Sequence, residues 1–250
     1  MALLNYTFRS EILDLNVTLN IILPEPISKK EKLKTLYLLH GYIGDHTDWL
    51  RFSSVERYNW PYRYAIIMPA VQNSYYTDTT YGHRYLSFIT QELPKVMEQT
   101  FPLSTKKEDR FIGGLSMGGY GAIKSGLLNP KKYHKAFSLS GALDINHIRE
   151  ITRETGRKIM FDSVFGKKSV EKTKHDLFFL AQKNIDKKIH MPEMLIACGS
   201  EDFLYDSNVR FHQFLENQNI NHEFIVDQGA HEWSFWDKYL EVALEWISKK

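Results

Sequence analysis

Residues Arg110-Phe-Ile-Gly-Gly-Leu-Ser-Met-Gly-Gly-Tyr-Gly121 carry the clearest structural signal in this chain of 250 residues. Their centre, Gly114-Leu-Ser-Met-Gly118, matches the pattern G-x-S-x-G, which places a serine on a sharp turn between a strand and a helix. Glycines belong beside such a turn because its strained backbone leaves no room for larger side chains. An apolar strand, Arg110–Gly113, precedes the serine and a helical pattern, Met117–Leu128, follows it. This context predicts that Ser116 projects its hydroxyl above a sheet, and it favours that interpretation over a glycine-rich turn with an incidental serine.

The rest of the chain alternates short apolar runs with helical patterns, after an antiparallel strand at Leu15–Leu23 that ends at Pro24. The later predicted strands are Thr35–His40, Tyr64–Met68, Arg110–Gly113, Ala136–Ser140, Met194–Cys198 and Glu223–Val226. The predicted helices are Asp48–Tyr58, Gly82–Phe101, Met117–Leu128, Arg210–Asn217 and Phe235–Ile247. Continuous apolar runs are typical of strands buried in a parallel sheet. The order therefore predicts an α/β fold with a mostly parallel central sheet and helices on both faces. The G-x-S-x-G turn indicates the α/β-hydrolase form of that fold.

We expect residues 1–250 to form a single domain, because the sequence contains no linker, internal repeat or low-complexity segment. The rhythm of strands and helices is interrupted over residues 146–188, a long, charged and partly helical stretch. Two interpretations stay open for this stretch: an extended connection, or a small cap over the functional site.

Composition argues against several classes of function. The 32 basic and 30 acidic residues give a formal net charge of +2, which offers no basis for binding nucleic acid or an anionic membrane. The chain has no apolar run of the roughly 20 residues that span a bilayer, and its first residues lack the features of a secretory signal. Cys198 is the single cysteine, which suits a reducing compartment. We therefore expect a cytoplasmic protein that binds neither nucleic acid nor membrane; a homo-oligomer is compatible with the sequence.

In this type of fold an acid and then a histidine follow the serine along the chain, at the ends of later strands. Three carboxylates are available at such ends: Asp202, its neighbour Glu201, and Asp144 after the preceding strand. The residues alone leave these alternatives open. For the base, His231 lies in the loop after the last predicted strand, whereas His222 precedes that strand. We therefore assign His231 as the base.

Acyl transfer also needs two backbone N–H groups that stabilise the developing oxyanion. One is expected at Met117, directly after Ser116, and the other in the loop after an early strand. That loop begins with His40-Gly-Tyr42, so we assign the second donor to the amide of Tyr42. We interpret His40 as a structural histidine beneath the loop.

In its longer motifs the chain resembles the small bacterial carboxylesterases of the esterase D type, often called tributyrin or acetyl esterases. The resemblance extends in order over nearly the whole chain and is carried by Leu39-His-Gly-Tyr-Ile-Gly-Asp-His-Thr-Asp-Trp49, Asn73-Ser-Tyr-Tyr-Thr-Asp78, Gly114-Leu-Ser-Met-Gly-Gly-Tyr-Gly121, Ser140-Gly-Ala142, Cys198-Gly-Ser-Glu-Asp-Phe-Leu-Tyr205 and His231-Glu-Trp233. One departure is visible, because Tyr42 and Ile43 stand where relatives often carry Met or Gly.

The resemblance implies that Ser116, Asp202 and His231 form a catalytic triad, that short-chain acyl esters are the substrates, and that no metal or organic cofactor takes part. S-formylglutathione hydrolases and some feruloyl esterases share the fold and the motif. The natural ester therefore stays open.

Four aromatic residues near these motifs are candidates for the walls of a substrate pocket, with core packing as the alternative: Trp49, Tyr75, Tyr76 and Trp233. The function that the sequence predicts is a serine carboxylesterase that works through an acyl-enzyme. A thioesterase or acyltransferase with the same triad is the alternative. A non-catalytic binding protein of this fold is disfavoured, because a candidate is present for each member of the triad.

Overall fold

An eight-stranded sheet forms the centre of the computed structural model, which describes residues 1–249. Its strands are β1 (Ala2–Ser10), β2 (Leu15–Leu23), β3 (Thr35–Leu39), β4 (Ala65–Pro69), β5 (Arg110–Leu115), β6 (Lys135–Leu139), β7 (Glu193–Gly199) and β8 (His222–Asp227). Their order in the sheet is β1-β2-β4-β3-β5-β6-β7-β8. The pairs β1–β2 and β2–β4 are antiparallel, and every other pair is parallel. The predicted mostly parallel sheet is confirmed.

Helices follow most of these strands: α1 (Asp48–Phe52), α2 (Val55–Asn59), α3 (Tyr85–Ser87), α4 (Leu93–Thr100), α5 (Met117–Leu128), α6 (Ile145–Ile151), α7 (Arg157–Phe165), α8 (Leu177–Asp186), α9 (Tyr205–Asn217) and α10 (Trp233–Ser248). A π-helical turn at Phe88–Glu92 joins α3 to α4. The predicted helix at Asp48–Tyr58 is instead two short helices, separated at Ser53 and Ser54. Within residues 1–249, none of the helices has both the length and the apolar character that crossing a membrane requires.

The sheet separates two apolar layers, because alternate side chains of each strand point to opposite faces. In β3, Leu36 and Leu38 belong to the layer that contains the buried residues of α10, and Tyr37 and Leu39 to the layer that contains Tyr120 of α5. All four β3 side chains are fully buried. Helices therefore cover both faces, as the sequence predicts.

One edge of the sheet is a hairpin whose first strand the sequence analysis did not identify. All nine residues of β1 pair with β2, from Ala2 opposite Leu23 to Ser10 opposite Leu15. Side chains along β1 alternate between exposed and half-buried until Ser10. Such alternation is typical of an edge strand with one face on the core, so the signal for β1 was present in the sequence.

Residues 146–188 form three helices and their connections rather than an extended crossing. Phe161 and Phe165 of α7 lie 5.2 and 5.5 Å from Tyr75, measured between ring centroids. Further along, the hydroxyl of Tyr120 donates to the carbonyl oxygen of His175 at 2.9 Å. The stretch is thus packed on the core, and its first half borders the cavity described below.

The backbone packs closely at the turn between β5 and α5. Ser116 adopts φ 52° and ψ −117°, a backbone conformation that residues other than glycine rarely adopt. A methyl group added to Gly118 would lie 2.4 Å from the carbonyl oxygen of Leu39 and 2.7 Å from that of His40. The missing side chain therefore allows α5 to start directly against the end of β3.

We predict that Gly118→Ala destabilises the protein by about 3 kcal/mol, because its methyl group meets backbone atoms that cannot move aside independently. Thermal and urea unfolding measure the loss. The matched control is Gly156→Ala, since an added methyl at Gly156 meets no atom within 4 Å. Equal stability of the two variants would contradict the close packing of α5 against β3.

Candidate active site

Three side chains from separate loops form one hydrogen-bonded chain at the carboxyl edge of the sheet. Oγ of Ser116 lies 3.0 Å from Nε2 of His231, and Nδ1 of His231 lies 2.8 and 3.0 Å from the two carboxylate oxygens of Asp202. Asp202 is 4% exposed and also accepts the backbone N–H of Leu204 at 2.8 Å. Because Nδ1 faces a carboxylate, it carries the proton, and Nε2 is left to accept from the serine.

The other candidates that the sequence leaves open take no part in these hydrogen bonds. Asp144 caps α6 by accepting the N–H of His147 and also accepts from the Arg210 guanidinium, both at 3.0 Å. Glu201 is exposed to solvent. His222 instead bonds to the Ile220 carbonyl and to a second histidine ring at the sheet edge. Among the carboxylates considered, Asp202 is the one that reaches His231.

Two backbone N–H groups border the serine. Met117 is the first residue of α5, and N–H groups in the first turn of a helix have no acceptor within the helix. The N–H of Tyr42 has no hydrogen-bond acceptor among residues 1–249. Tyr42 lines the same cavity as Ser116. Both groups that the sequence suggests for an oxyanion hole are thus free to donate.

The two peptide groups that flank Tyr42 are each fixed by a side chain. The carbonyl oxygen of Gly41 accepts from Nδ1 of His40 at 2.7 Å, and, because a trans peptide is planar, the N–H of Tyr42 points the opposite way. The N–H of Ile43 donates to Oδ1 of Asn73 at 2.7 Å. Ile43 has φ 63°, a strained value for a β-branched residue. The loop therefore depends on these two anchors for its shape.

The ring of His40 is buried, with 1% of its surface exposed. Its Nε2 accepts the N–H of Val71 at 3.1 Å, which leaves the proton on Nδ1 for Gly41. The hydroxyl of Tyr76 donates to the His40 carbonyl at 2.9 Å. Burial lowers the pKa of His40 to about 4, and this effect outweighs the hydrogen bond to Gly41 and the Asp45 carboxylate, which both raise it. His40 is thus a neutral, fixed imidazole under the loop.

A cavity of about 650 Å³ opens beside Ser116 and His231, and two of the four predicted pocket residues, Tyr75 and Trp233, line it. The structure corrects the expectation for Trp49 and Tyr76, which lie beneath the site. Nε1 of Trp49 donates to the Leu39 carbonyl at 3.1 Å, and the Tyr76 hydroxyl donates to the His40 carbonyl. Both are at most 1% exposed, so they pack and anchor rather than meet a ligand.

Several other lining residues were missed by the sequence analysis. Phe203 directly follows Asp202, and its ring centroid lies 4.6 Å from that of His231. Phe52 comes from α1, and Ile148 and Arg157 come from α6 and α7. The position of Phe203 next to the acid was an available signal, whereas the others depend on how distant segments pack. Within residues 1–249, no three His, Cys, Asp or Glu side chains are grouped to hold a metal ion.

The depressed pKa of His40 predicts a loss of stability in acid. The unfolded chain binds a proton at this histidine near its usual pKa of 6.5, whereas the folded protein does so only near 4. Stability from this site is therefore complete above about pH 6.5 and is lost as the pH falls towards 4. Between about pH 6.5 and about pH 5 the free energy of unfolding should decrease by about 2 kcal/mol through His40.

Urea unfolding at a series of pH values measures this slope. His40→Gln should be less stable at neutral pH but should lose less on acidification, while His190→Gln, at an exposed histidine, should follow the wild type. A wild-type free energy of unfolding that stays constant from pH 7 to pH 5 would rule out the buried neutral histidine.

Comparisons with known proteins show the family to which the chain belongs. The family model named Esterase matches residues 10–247. An acetyl esterase of Caldicellulosiruptor saccharolyticus is 36% identical over all of this chain and 99% of its own length. The Staphylococcus aureus fluorophosphonate-binding serine hydrolase FphF is 34% identical with a TM-score of 0.93, covering 100% of this chain and 99% of that one. An S-formylglutathione hydrolase of the same bacterium, FrmB, is also 34% identical, with a TM-score of 0.90 and 99% coverage of both chains. The chain belongs to this esterase family and is a serine carboxylic ester hydrolase of the α/β-hydrolase type.

Proposed function

We propose that this esterase hydrolyses short-chain acyl esters through an acyl-enzyme formed on Ser116. The observation that carries the proposal is the hydrogen-bonded chain from Ser116 through His231 to Asp202, with contacts of 3.0 and 2.8 Å. A hydroxyl that faces an unprotonated imidazole nitrogen at this distance is the arrangement that activates a serine. The free N–H groups of Tyr42 and Met117 supply the oxyanion hole.

The steps follow from the positions of these groups. Nε2 of His231 accepts the proton of Ser116 as Oγ attacks the ester carbonyl, and Asp202 stabilises the imidazolium that forms. The carbonyl oxygen becomes an oxyanion and accepts from Tyr42 and Met117. His231 then donates its proton to the leaving alcohol as the C–O bond breaks. Water attacks the acyl-enzyme by the same route, and Ser116 recovers its proton.

Short acyl groups are supported by the relative named acetyl esterase, which matches the chain over its whole length. Large side chains also line the side of the cavity that contains Tyr42. Tyr42 and Tyr75 lie there with ring centroids 6.2 Å apart, and the Arg157 guanidinium lies 4.8 Å from the Tyr42 ring centroid. Large side chains on this side are consistent with a preference for short acyl groups.

A thioesterase activity on S-formylglutathione is the second candidate. FrmB, named an S-formylglutathione hydrolase, is 34% identical, and an S-formylglutathione hydrolase of Paracoccus denitrificans is 25% identical over 98% of this chain. The same serine, histidine and oxyanion groups accept a thioester without change. Parallel rate measurements on acetate esters and on S-formylglutathione decide between the two substrates.

We predict that p-nitrophenyl acetate is hydrolysed and that a fluorophosphonate probe labels Ser116. Ser116→Ala should abolish labelling, and Asp202→Asn should lower kcat about 10⁴-fold, because the imidazole then loses its orientation and its counter-charge. Ser169→Ala, at an exposed serine, is the matched control. Labelling or turnover that survives in Ser116→Ala would overturn the assignment of the nucleophile.

We further predict that Asn73→Ala lowers kcat about tenfold with little change in KM. Asn73 acts as a positioning residue, because its contact with Ile43 fixes the loop whose neighbouring N–H binds the oxyanion only after attack. Asn73→Asp keeps an oxygen acceptor and should restore most of kcat. Asn221→Ala, at an exposed asparagine, is the control. A rise in KM with unchanged kcat would contradict the positioning role.

A further inference from the structure

Three large apolar side chains are exposed around one cavity. Ile43, Phe52 and Phe203 are 84%, 44% and 56% exposed, and all three line the cavity beside Ser116. Isolated exposed apolar residues are common on soluble proteins, but a convergent group at a cavity marks a surface that a ligand covers. The group therefore bears on what the enzyme binds.

Two of these side chains belong to a continuous row of rings that includes His231. The ring of Phe203 lies 4.6 Å from that of His231, and Trp236 lies 4.9 Å from His231. Trp233 follows at 5.3 Å from Trp236, and Phe52 at 5.1 Å from Trp233. The five rings thus form an aromatic wall on the histidine side of the cavity.

The chemistry of the proposed function orients an ester relative to this wall. His231 must donate its proton to the leaving oxygen, so that oxygen lies within hydrogen-bond reach of Nε2. The carbonyl oxygen must at the same time meet the amides of Tyr42 and Met117. The alcohol part of the ester therefore extends on the His231 side, and the acyl part extends on the side of Tyr42 and Tyr75.

We propose that Phe52, Phe203 and Trp233 form a leaving-group subsite that selects short-chain esters of flat, apolar alcohols such as arylmethanols. The inference rests on the proposed function, because it uses the position of the proton donor. An aromatic alcohol would lie against this wall, where Phe52 and Phe203 are exposed, and ring–ring contacts favour such a group over an alkyl alcohol.

The charges that line the cavity do not favour an anionic leaving group. Two carboxylates, Asp48 and Glu232, line it. Two guanidinium groups also line it, and that of Arg51 lies 4.7 Å from the ring centroid of Phe52. The second lining arginine, Arg157, lies over Tyr42 on the acyl side. Glutathione, which is anionic, gains neither a ring contact nor a net positive field at this subsite.

Two isomeric esters test the proposal directly. Benzyl acetate carries its ring on the alcohol, and methyl phenylacetate carries the same ring on the acyl part, while benzyl alcohol and methanol differ little in acidity. We expect kcat/KM for benzyl acetate to exceed that for methyl phenylacetate about tenfold or more. Equal rates would show that the enzyme does not select a ring on the alcohol, and a preference for methyl phenylacetate would place the ring on the acyl side. Either result would overturn the subsite.

Variants of the aromatic wall test which residues cause the preference for an aromatic alcohol. Phe203→Ala and Phe52→Ala should each lower the ratio of kcat/KM for benzyl acetate to that for methyl acetate about fivefold, as expected for one aromatic contact. Trp60→Ala removes an aromatic side chain that is 66% exposed outside the cavity, and it should leave the ratio unchanged. A ratio that neither cavity variant alters would overturn the assignment of these residues.

Fluorophosphonate labelling separates this inference from the proposed function. Labelling at Ser116 together with no selectivity between the two isomers overturns the leaving-group subsite alone. Absence of both labelling and ester turnover overturns the acyl-enzyme mechanism, and the subsite with it. As a second measurement, 2-naphthylmethanol should inhibit at lower concentration than reduced glutathione, and the reverse order would count against the subsite.

Discussion

The backbone of Ser116 is the constraint on which the rest of the site depends. A non-glycine residue at φ 52° and ψ −117° costs about 1–3 kcal/mol and persists only where its surroundings determine it. Here the N–H of Ser116 donates to the Leu139 carbonyl at 2.9 Å, and its carbonyl accepts the N–H of Ala142 at 3.1 Å. β6 and the loop after it therefore hold the serine in a strained turn that aims its hydroxyl at His231.

The same turn determines where the loop that begins with His40-Gly-Tyr42 can start. Gly118 brings the start of α5 against the carbonyl oxygens of Leu39 and His40, at the end of β3. From that point His40 fixes the peptide group that presents the Tyr42 amide. Ser116 and the proposed oxyanion donors are thus parts of one packed unit, and a shift of α5 would displace both. Catalytic geometry of this kind tolerates little movement, since small misplacements reduce rates strongly.

Much of this arrangement can be predicted from the sequence. The features that cannot be predicted have identifiable physical reasons. The turn at Ser116 and the position of His231 follow from local pattern and strand order. The three carboxylates near strand ends cannot be separated by spacing, because Asp202 differs from Glu201 and Asp144 in burial and aim. Proximity in sequence also misleads for aromatic residues. Trp49 lies close to the oxyanion loop along the chain, yet its ring points into the core.

The residues that hold the serine and the histidine are buried, whereas several residues that line the cavity are exposed, and this difference has a consequence for specificity. The residues that strain and fix the serine, the histidine and the loop are buried, so changes among them affect folding and catalysis together. Ile43, Phe52 and Phe203 line the cavity and are exposed to solvent. Substitutions at such exposed positions usually change stability by at most about 0.5 kcal/mol. Substitutions at the proposed leaving-group subsite are therefore expected to change the preferred alcohol more than they change the stability of the protein.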